Sequence, residues 1–277
     1  MRGGPQRLLV RAAGRLWSRL TETTGVSTAC VPILCYHSIS DQPHAISPAR
    51  FAAQMRWLRR HGYQTVGLDA VLDPPRRERG RRYVVITFDD GLADLPANAL
   101  PGLVACGLRA TIFFAPALAG ATMWYSPRER GFVAAPQDGA KRLDFMSWEE
   151  AQCMAAAGMS FQSHSYSHAR LSELAEPEIA GELSRSRHAL EARFGKRVRF
   201  LSYPFGDFDG RVQRIAASLG YVAAVTTAPG FNGARADPYG LRRVAPNPDD
   251  DLSCFAFKLS PAVGWYYRWA ASQRSDG

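Results

Sequence analysis

The sequence predicts an α/β fold in which roughly six to eight βα units close into a barrel. Apolar, β-branched runs of the kind found in buried strands alternate along the chain with segments of helical character. The length of 277 residues suits one large domain of this type. Two segments rich in carboxylates and histidines each follow a strand directly, where the active sites of such barrels lie.

Local signals define the individual elements. Ser47, followed by a proline, opens a helix that Gly62 ends. Ser147 and Glu150 form a capping box at the start of a later helix. The segment 116–144 is rich in Gly, Pro and Arg and predicts a loop over the rim of the site. The strand-like runs lie at 31–37, 64–66, 83–88, 109–115, 159–163, 198–203, 221–227 and 241–245, and further helices at 177–194 and 211–219.

Composition is ordinary for a globular protein with a sizeable core, at 46% hydrophobic and 21% charged residues. The net charge of +9 suits an anionic surface, but no nucleic-acid recognition motif accompanies it, so we expect no nucleic-acid partner. The five cysteines form no C-x-x-C pair, which favours a reducing compartment. No transmembrane stretch or clear signal peptide is visible, which predicts a protein that is cytoplasmic or peripheral at the membrane.

The two ends differ from the predicted catalytic domain, residues 30–250. Residues 1–29 show a basic amphipathic helix pattern, and the tail 251–277 carries an aromatic cluster. Both ends suit peripheral membrane contact, and packing on the barrel is the alternative. The residues are Arg7, Arg11, Arg15 and Arg19 with Leu9, Ala13, Leu16, Trp17 and Leu20, and Trp265, Tyr266, Tyr267 and Trp269.

Two adjacent carboxylates, Asp89 and Asp90, follow the strand at 83–88 and precede Gly91, which permits a turn. Two carboxylates at a buried strand end repel each other, so a cation is expected to hold at least one of them. An ordinary Asp-Gly turn or helix cap is the alternative.

Two of the six histidines, His164 and His168, fall within one pentapeptide after the strand at 159–163. In a single helical turn, side chains at i and i+4 lie on one face about 6 Å apart, which suits a shared metal. Two solvated loop histidines are the alternative. One carboxylate and two imidazoles would supply the three protein ligands of a zinc-type hydrolytic site, and the other carboxylate would remain as a base.

These residues resemble a known family. Thr-Phe-Asp-Asp-Gly at 87–91, His-Ser-x-x-His at 164–168 and Ser-Tyr-Pro-Phe-Gly at 202–206 are similar to motifs of the polysaccharide deacetylases, the NodB-homology group or carbohydrate esterase family four. The opening Pro-Ile-Leu-Cys-Tyr-His-Ser at 32–38 looks like the exopolysaccharide branch, whose members deacetylate poly-N-acetylglucosamine. The resemblance implies a distorted (β/α) barrel of about seven strands.

The resemblance also implies roles for single residues. Asp90, His164 and His168 would bind a divalent metal ion, with zinc favoured, and Asp89 would be the general base. The backbone N–H of Phe205 would donate to the oxyanion. The implied substrate-binding residues are Tyr203, Pro204, Phe205, Trp148 and Leu241. For Trp148, capping and packing at the start of a helix is the alternative.

Two positions depart from the family pattern. The arginine that the family has two residues before its proline is Ser202 here, so the base must be held differently. The late Leu-x-His that supplies the general acid is Leu-Arg-Arg at 241–243, and arginine is a poor proton donor. His37, at the end of the first strand, is the candidate acid because a barrel directs it to the same rim; a structural histidine is the alternative.

The sequence therefore predicts a metal-dependent hydrolase that removes N-acetyl groups from N-acetylglucosamine-type sugars of a glycan or glycoconjugate. One alternative is a catalytically weak barrel that only binds sugar, although a pure binder has no use for Asp89. Another alternative is an amidohydrolase that acts on a small or lipid-linked N-acyl substrate.

Overall fold

The computed structural model describes residues 5–24, 30–75, 81–260, 262–264 and 267. The helices and strands in chain order are α1 (Pro5–Thr24), β1 (Ile33–Tyr36), α2 (Pro48–Arg60), β2 (Tyr63–Thr65), α3 (Asp69–Leu72), β3 (Arg82–Phe88), α4 (Leu95–Asn98), α5 (Leu100–Ala105), β4 (Thr111–Phe114), β5 (Thr122–Ser126), β6 (Gly131–Val133), β7 (Lys141–Asp144), α6 (Trp148–Ala156), β8 (Ser160–Ser163), α7 (Glu176–Phe194), β9 (Phe200–Ser202), α8 (Gly210–Ser218), β10 (Ala223–Pro229), β11 (Leu241–Arg243) and α9 (Leu252–Lys258).

Seven parallel strands form a nearly closed barrel in the order β1-β3-β4-β8-β9-β10-β11, which confirms the predicted fold. The ends of the sheet meet where Cys35 N donates to Val244 O at 3.0 Å and Val244 N donates to Ile33 O at 2.7 Å. The barrel is distorted at β8 and β9, which pair only at Ser163 and Leu201. β2 pairs with β3 outside the barrel path.

The helices around the barrel bury the faces that their spacing predicts. In α2, Phe51, Met55 and Leu58 are fully buried, as the i, i+4, i+7 pattern requires. Burial of each such side chain stabilises the fold by roughly 1.5–3 kcal/mol. The Ser47 side chain accepts from the backbone of the first turn, and Gly62 follows the helix end with a φ of 72°, so both predicted helix signals are confirmed.

The segment predicted as a rim loop is instead an ordered antiparallel sheet in the order β6-β5-β7. It has a small core of its own, in which Met123, Phe132 and Leu143 pack against the buried Leu92 and Phe145. The amino-acid composition of the segment did not indicate this sheet, because its strands are short and only partly buried. The sheet therefore forms a fixed wall beside the barrel.

Helix α1 lies against α9 at the side of the barrel. Val10 and Trp17 are buried there, and Gly14 approaches Ser253 so closely that a Cβ would collide with the Ser253 carbonyl. Among the described residues, no helix is both long enough and apolar enough to cross a membrane. The side chains of Arg7 and Leu20, and the predicted aromatic residues Trp265, Tyr266 and Trp269, lie outside what the structure describes.

Candidate active site

The carboxyl ends of the barrel strands surround one cavity of about 320 Å³. Asp89 and Asp90 enter it from the end of β3, and His164 and His168 from the loop after β8. The parallel strands bring these ends to one edge of the barrel, although the motifs are far apart in sequence. The two predicted motifs therefore meet in one site.

One carboxylate oxygen lies between the two imidazoles. Asp90 Oδ1 is 3.1 Å from His168 Nε2 and 3.3 Å from His164 Nε2. Both histidines are almost fully buried, and Asp90 is nearly so. The candidate ligand atoms of the three residues all lie within 4.8 Å of one another, as a shared metal ion would require.

The loop that carries the histidines is not the single helical turn that we predicted. Ser165 and His168 both adopt positive φ, at 56° and 63°, which a helical turn does not contain. The buried carboxylate of Glu182 on α7 holds this loop, accepting hydrogen bonds from the backbone N–H groups of Tyr166 and Ser167 and from the Ser167 hydroxyl. The two imidazoles thus meet through an anchored irregular loop.

The hydrogen bonds of the two histidines fit a metal ion. His164 Nδ1 lies 2.8 Å from the Ser202 carbonyl and donates to it, which leaves the Nε2 lone pair of the neutral ring directed at Asp90. A lone pair facing a carboxylate oxygen is repulsive unless a proton or a cation lies between them. His168 Nδ1 is buried and has no hydrogen-bond partner among the described residues. This set of one carboxylate and two imidazoles is typical of zinc sites.

The charges of this cluster are set by burial and mutual contact. Burial raises the pKa of Asp90, but hydrogen bonds with both histidines hold it well below the usual range. Burial lowers the pKa of both imidazoles, and it prevails at His168, whose pKa is lowered. At His164 the hydrogen bond with Asp90 and the charges of Asp89 and Asp90 together outweigh burial, so its pKa is raised. An ionised carboxylate beside a neutral imidazole is the form that binds a metal.

Asp89 has a different partner, which sequence reasoning missed. Arg243 at the end of β11 donates from Nη1 to Asp89 Oδ1 at 2.7 Å and from Nη2 to Asp89 Oδ2 at 2.6 Å. The Ser202 hydroxyl also donates to Asp89 Oδ2, at 3.2 Å. Position 202 on β9 thus carries a small serine, and the arginine that binds Asp89 comes from a different strand, β11. Such a bidentate pair fixes the carboxylate in orientation as well as position.

This arginine keeps Asp89 ionised. Burial on its own raises the pKa of Asp89, but the charge and hydrogen bonds of Arg243 lower it to about 2. The neighbouring Cys35 stays a thiol, because burial raises its pKa to about 12. Although Cys35, His37 and Asp89 also cluster, a protonated thiol and an arginine-bound carboxylate are poor metal ligands.

His37 reaches the site from the end of β1. Its Nε2 lies 4.0 Å from Asp89 Oδ2, and its side chain is 52% exposed where it lines the cavity. The alternative of a histidine packed into the strand end does not fit that exposure. The position is compatible with proton donation to a bound substrate.

Comparison with known proteins agrees with this geometry. A model of the polysaccharide deacetylase family matches residues 76–224, more than half of the chain. The sequence is 30% identical over 230 residues to YxkH of Bacillus subtilis, which is named as a polysaccharide deacetylase, and the match covers 82% of this chain and 75% of YxkH. The chain belongs to the polysaccharide deacetylase family. Members of this family are hydrolases that remove acetyl groups.

Two further proteins are similar to this chain. It is 24% identical over 173 residues to a poly-beta-1,6-N-acetyl-D-glucosamine N-deacetylase of Staphylococcus aureus, over 59% of this chain and 54% of that protein. The solved structure of the Streptococcus pyogenes deacetylase PplD in complex with acetate superposes with a TM-score of 0.70. That match has 24% identity and covers 83% of this chain and 98% of PplD, and it shows a shared fold.

In the present protein, the Tyr-Pro-Phe-Gly motif after β9 forms part of the cavity wall. Tyr203 and Phe205 line it, whereas Pro204 is buried in the short 3-10 turn between them. The Tyr203 ring stacks on Phe208 and is 1% exposed, and its hydroxyl donates to the carbonyl of Tyr239, so Tyr203 shapes the wall but does not offer its proton to substrate. Phe205 adopts a φ of 60°, and its ring contacts His168 edge-on at 4.5 Å between centroids.

Two residues predicted to bind substrate lie elsewhere in the polysaccharide deacetylase fold. Trp148 packs at the start of α6 between Phe114 and Phe194, with ring centroids 5.2 Å and 6.1 Å away, and it does not line the cavity. Leu241 is 1% exposed and packs in the core with Phe113. The capping and packing alternative describes Trp148, and Leu241 is enclosed by side chains of neighbouring barrel strands, including Ile33 and Val225.

The ordered sheet β6-β5-β7 supplies a further wall of the cavity. The sequence alone did not predict which of its residues line the cavity. Tyr125, Phe132, Lys141 and Leu143 all line the cavity, and Phe132 packs against the His168 ring at 4.5 Å. The short aromatic and β-branched runs at 122–125 and 132–133 were the one available signal. These side chains shield the metal-ligand residues from solvent on that side.

Backbone strain is concentrated at this site. Among the described residues, six other than glycine have positive φ, and four of them line the cavity: His44, Asp90, His168 and Phe205. Such conformations cost of order 1–3 kcal/mol each and persist only where the surrounding structure imposes them. The backbone conformations that orient these four side chains therefore lower the stability of the fold.

Proposed function

We propose that the protein is a metal-dependent N-deacetylase that hydrolyses the acetamide of N-acetylglucosamine-type sugars in a glycan or glycoconjugate and releases acetate. The observation that carries this proposal is that the two adjacent carboxylates have different partners. Asp90 converges with two imidazoles, while Asp89 is turned away from them and bound by Arg243. One acid is therefore available to a metal ion and the other to a proton.

The residues have distinct chemical tasks in this proposal. A divalent ion, zinc or one of similar preference, held by Asp90, His164 and His168 would polarise the acetamide carbonyl and lower the pKa of water. Asp89, which is ionised at neutral pH, accepts the proton of the attacking water. His37 donates a proton to the departing amine nitrogen, which is otherwise a poor leaving group.

The developing negative charge on the carbonyl oxygen needs hydrogen-bond donors. The backbone N–H of Phe205 is the donor that the motif after β9 offers. The strained φ of 60° at Phe205 supports this assignment, because an imposed backbone conformation is one way to orient a donor before the reaction. The aromatic ring of Phe205 would pack on the acetyl group and sugar ring, and the buried Tyr203 would support the wall behind them.

The shape of the site favours a glycan of several sugars over a small N-acyl substrate. A second cavity of about 540 Å³ shares Ser38, Leu92, Lys141 and Leu143 with the first, so the site continues as a groove along β7. A single sugar would leave this extension empty. The named activity of the Staphylococcus aureus relative on poly-N-acetylglucosamine points in the same direction. A small or lipid-linked N-acyl substrate remains the second candidate.

Acetate release tests the proposal. Purified protein, loaded with zinc, would be given N-acetylglucosamine, its oligomers of increasing length and a small N-acyl amine, and acetate would be measured. We expect release from the sugars, faster for longer oligomers. Asp89→Asn should keep the bound metal but reduce turnover by roughly 10²-fold or more. His164→Ala should lose the metal, as elemental analysis would show.

The controls separate the alternatives. Asp73→Asn changes an exposed carboxylate outside the site and should leave acetate release unchanged. Tight sugar binding without acetate release by the zinc-loaded wild-type protein would identify a binding barrel. Equal rates for the small amine and all oligomers would identify a small-substrate amidohydrolase. Full activity of Asp89→Asn would assign the base to another residue.

A further inference from the structure

Helix α1 has two faces with different environments. Val10, Gly14 and Trp17 face the protein, where Val10 packs with Phe257 and Trp17 joins the main core. Arg11 lies at the edge of this face and pairs with Asp251 at 2.6 Å. These contacts fix the rotation of α1 about its axis. Gly14 has no side chain, so the backbones of α1 and α9 can approach each other closely.

The opposite face of α1 carries large apolar side chains that none of the described residues covers. Leu8, Leu9 and Leu16 are 67%, 70% and 60% exposed. Among the described residues, six large hydrophobic side chains are exposed, and four of them lie on this helix pair, the fourth being Leu252 on α9. The clustering is notable because exposed large apolar residues are otherwise scattered.

Arginines lie on the same face as the leucines. Arg15 and Arg19 are exposed, as is Ala12. At 3.6 residues per turn, the exposed residues of α1 fall within an arc of about 120°. We call this surface the leucine–arginine face; its members are Leu8, Leu9, Ala12, Arg15, Leu16 and Arg19.

This arrangement differs from the apolar face that the sequence pattern predicted. The pattern grouped Leu9 and Leu16 with Trp17, whereas the structure turns Trp17 into the protein and both leucines outward. The amphipathic pattern therefore combined two apolar surfaces. The surface that contains Trp17 is covered by α9 and the barrel. The surface that contains Leu9 and Leu16 is not covered by any of the described residues.

The charge of the leucine–arginine face indicates what covers it. α1 contains no acidic residue before Glu22. A second copy of the chain, docked through the same face, would place four arginines in one interface, and the face has no acidic residue to pair with them, which costs free energy. An anionic lipid surface instead offers negative head groups to the arginines and an acyl boundary to the leucines.

We propose that the leucine–arginine face docks α1 in the plane of an anionic lipid bilayer. The leucines enter the boundary between head groups and acyl chains, and Arg15 and Arg19 contact lipid phosphates. The helix lies on the membrane and does not span it, in agreement with its polarity. This docking is independent of the proposed deacetylase chemistry.

Vesicle co-sedimentation of the full chain tests the proposal. We expect binding to vesicles of phosphatidylcholine with phosphatidylglycerol at low salt, weaker binding at high salt, and little binding to pure phosphatidylcholine. Leu9→Ser/Leu16→Ser should weaken binding by roughly tenfold or more, because both side chains leave the apolar boundary. Arg15→Gln/Arg19→Gln should weaken it by roughly fivefold for each arginine and reduce its salt dependence.

A matched control uses apolar side chains that are exposed elsewhere on the protein. Leu72→Ser/Val104→Ser removes two leucine- or valine-sized side chains that are 41% and 54% exposed. This double variant should bind vesicles like the wild type. Because all substituted side chains are exposed, thermal unfolding should be unchanged in every variant, which shows that α1 still packs through Trp17.

Three results would overturn the proposal. The first is no binding of the wild-type chain to anionic vesicles at low salt. The second is equal loss of binding in Leu9→Ser/Leu16→Ser and in the control Leu72→Ser/Val104→Ser. The third is concentration-dependent dimerisation in sedimentation velocity that Leu9→Ser/Leu16→Ser abolishes, since the face would then belong to a second copy of the chain.

Discussion

Replacing Arg243 with methionine should reduce both the stability and the activity of the protein. The guanidinium binds both carboxylate oxygens of Asp89, at 2.7 Å and 2.6 Å, and the two side chains are only 2% and 3% exposed. Arg243→Met leaves a buried carboxylate without its counter-charge. Breaking a buried pair in this way costs about 3–5 kcal/mol.

The pKa of Asp89 gives an independent measure of the same interaction. A shift from 3.8 to about 2 corresponds to roughly 2 kcal/mol at 1.36 kcal/mol per unit. Because the folded pKa lies below the unfolded one, this stabilisation is fully present above about pH 4 and is lost as the pH falls through about 2. Burial opposes the shift, and the charge and hydrogen bonds of Arg243 are the largest causes that lower the pKa of Asp89.

Urea unfolding of four proteins tests this reasoning: the wild type, Arg243→Met, Asp89→Asn and the double variant, all with excess chelator at pH 7. We expect Arg243→Met to lose several kcal/mol of unfolding free energy, and the double variant to recover part of that loss because no charge is left buried. With zinc restored, Arg243→Met should lose roughly 10²-fold in turnover because Asp89 is no longer oriented.

A conservative variant distinguishes charge from geometry. Arg243→Lys keeps the positive charge but cannot form the bidentate pair, so it should retain more stability than Arg243→Met while turnover remains low. Two results would refute the reasoning. One is wild-type stability in Arg243→Met. The other is strictly additive losses in the double variant with Asp89→Asn, which would mean that the two side chains do not interact.

Two further predictions concern residues on either side of the metal-ligand cluster. His37→Ala should depress turnover and remove the high-pH limb of the pH–rate profile while the metal content stays the same; an unchanged profile would assign the proton to water or another group. Glu182→Gln should weaken zinc binding by roughly 10–100-fold, because its carboxylate holds the loop between His164 and His168. Zinc titration measures this, and wild-type affinity would show that the loop is rigid without Glu182.

Elements built from local signals could be predicted from the sequence. The capping box of Ser147 and Glu150 is present at the start of α6, and the helix α2 begins after Ser47 as predicted. The buried strand before Asp89 agrees to within one residue. Such signals act over a few residues, so the sequence contains all that decides them.

The pairing of the strands was less accessible to sequence reasoning. The predicted strands at 198–203 and 241–245 are each shorter in the structure, at Phe200–Ser202 and Leu241–Arg243. Their ends depend on where neighbouring strands stop, which is a long-range property. The antiparallel sheet of residues 122–144 was missed for the same reason, since its strands are defined mainly by one another.

The sequence by itself determined the barrel class and the residues that could bind a metal, because periodicity and motif spacing are local. Only the tertiary structure decided that Arg243 holds Asp89, 154 positions away, and that Trp148 packs away from the cavity. It also decided that Leu16 faces outward while its neighbour Trp17 is buried. Each of these depends on contacts between elements far apart in the chain, whose geometry is fixed only when the barrel closes.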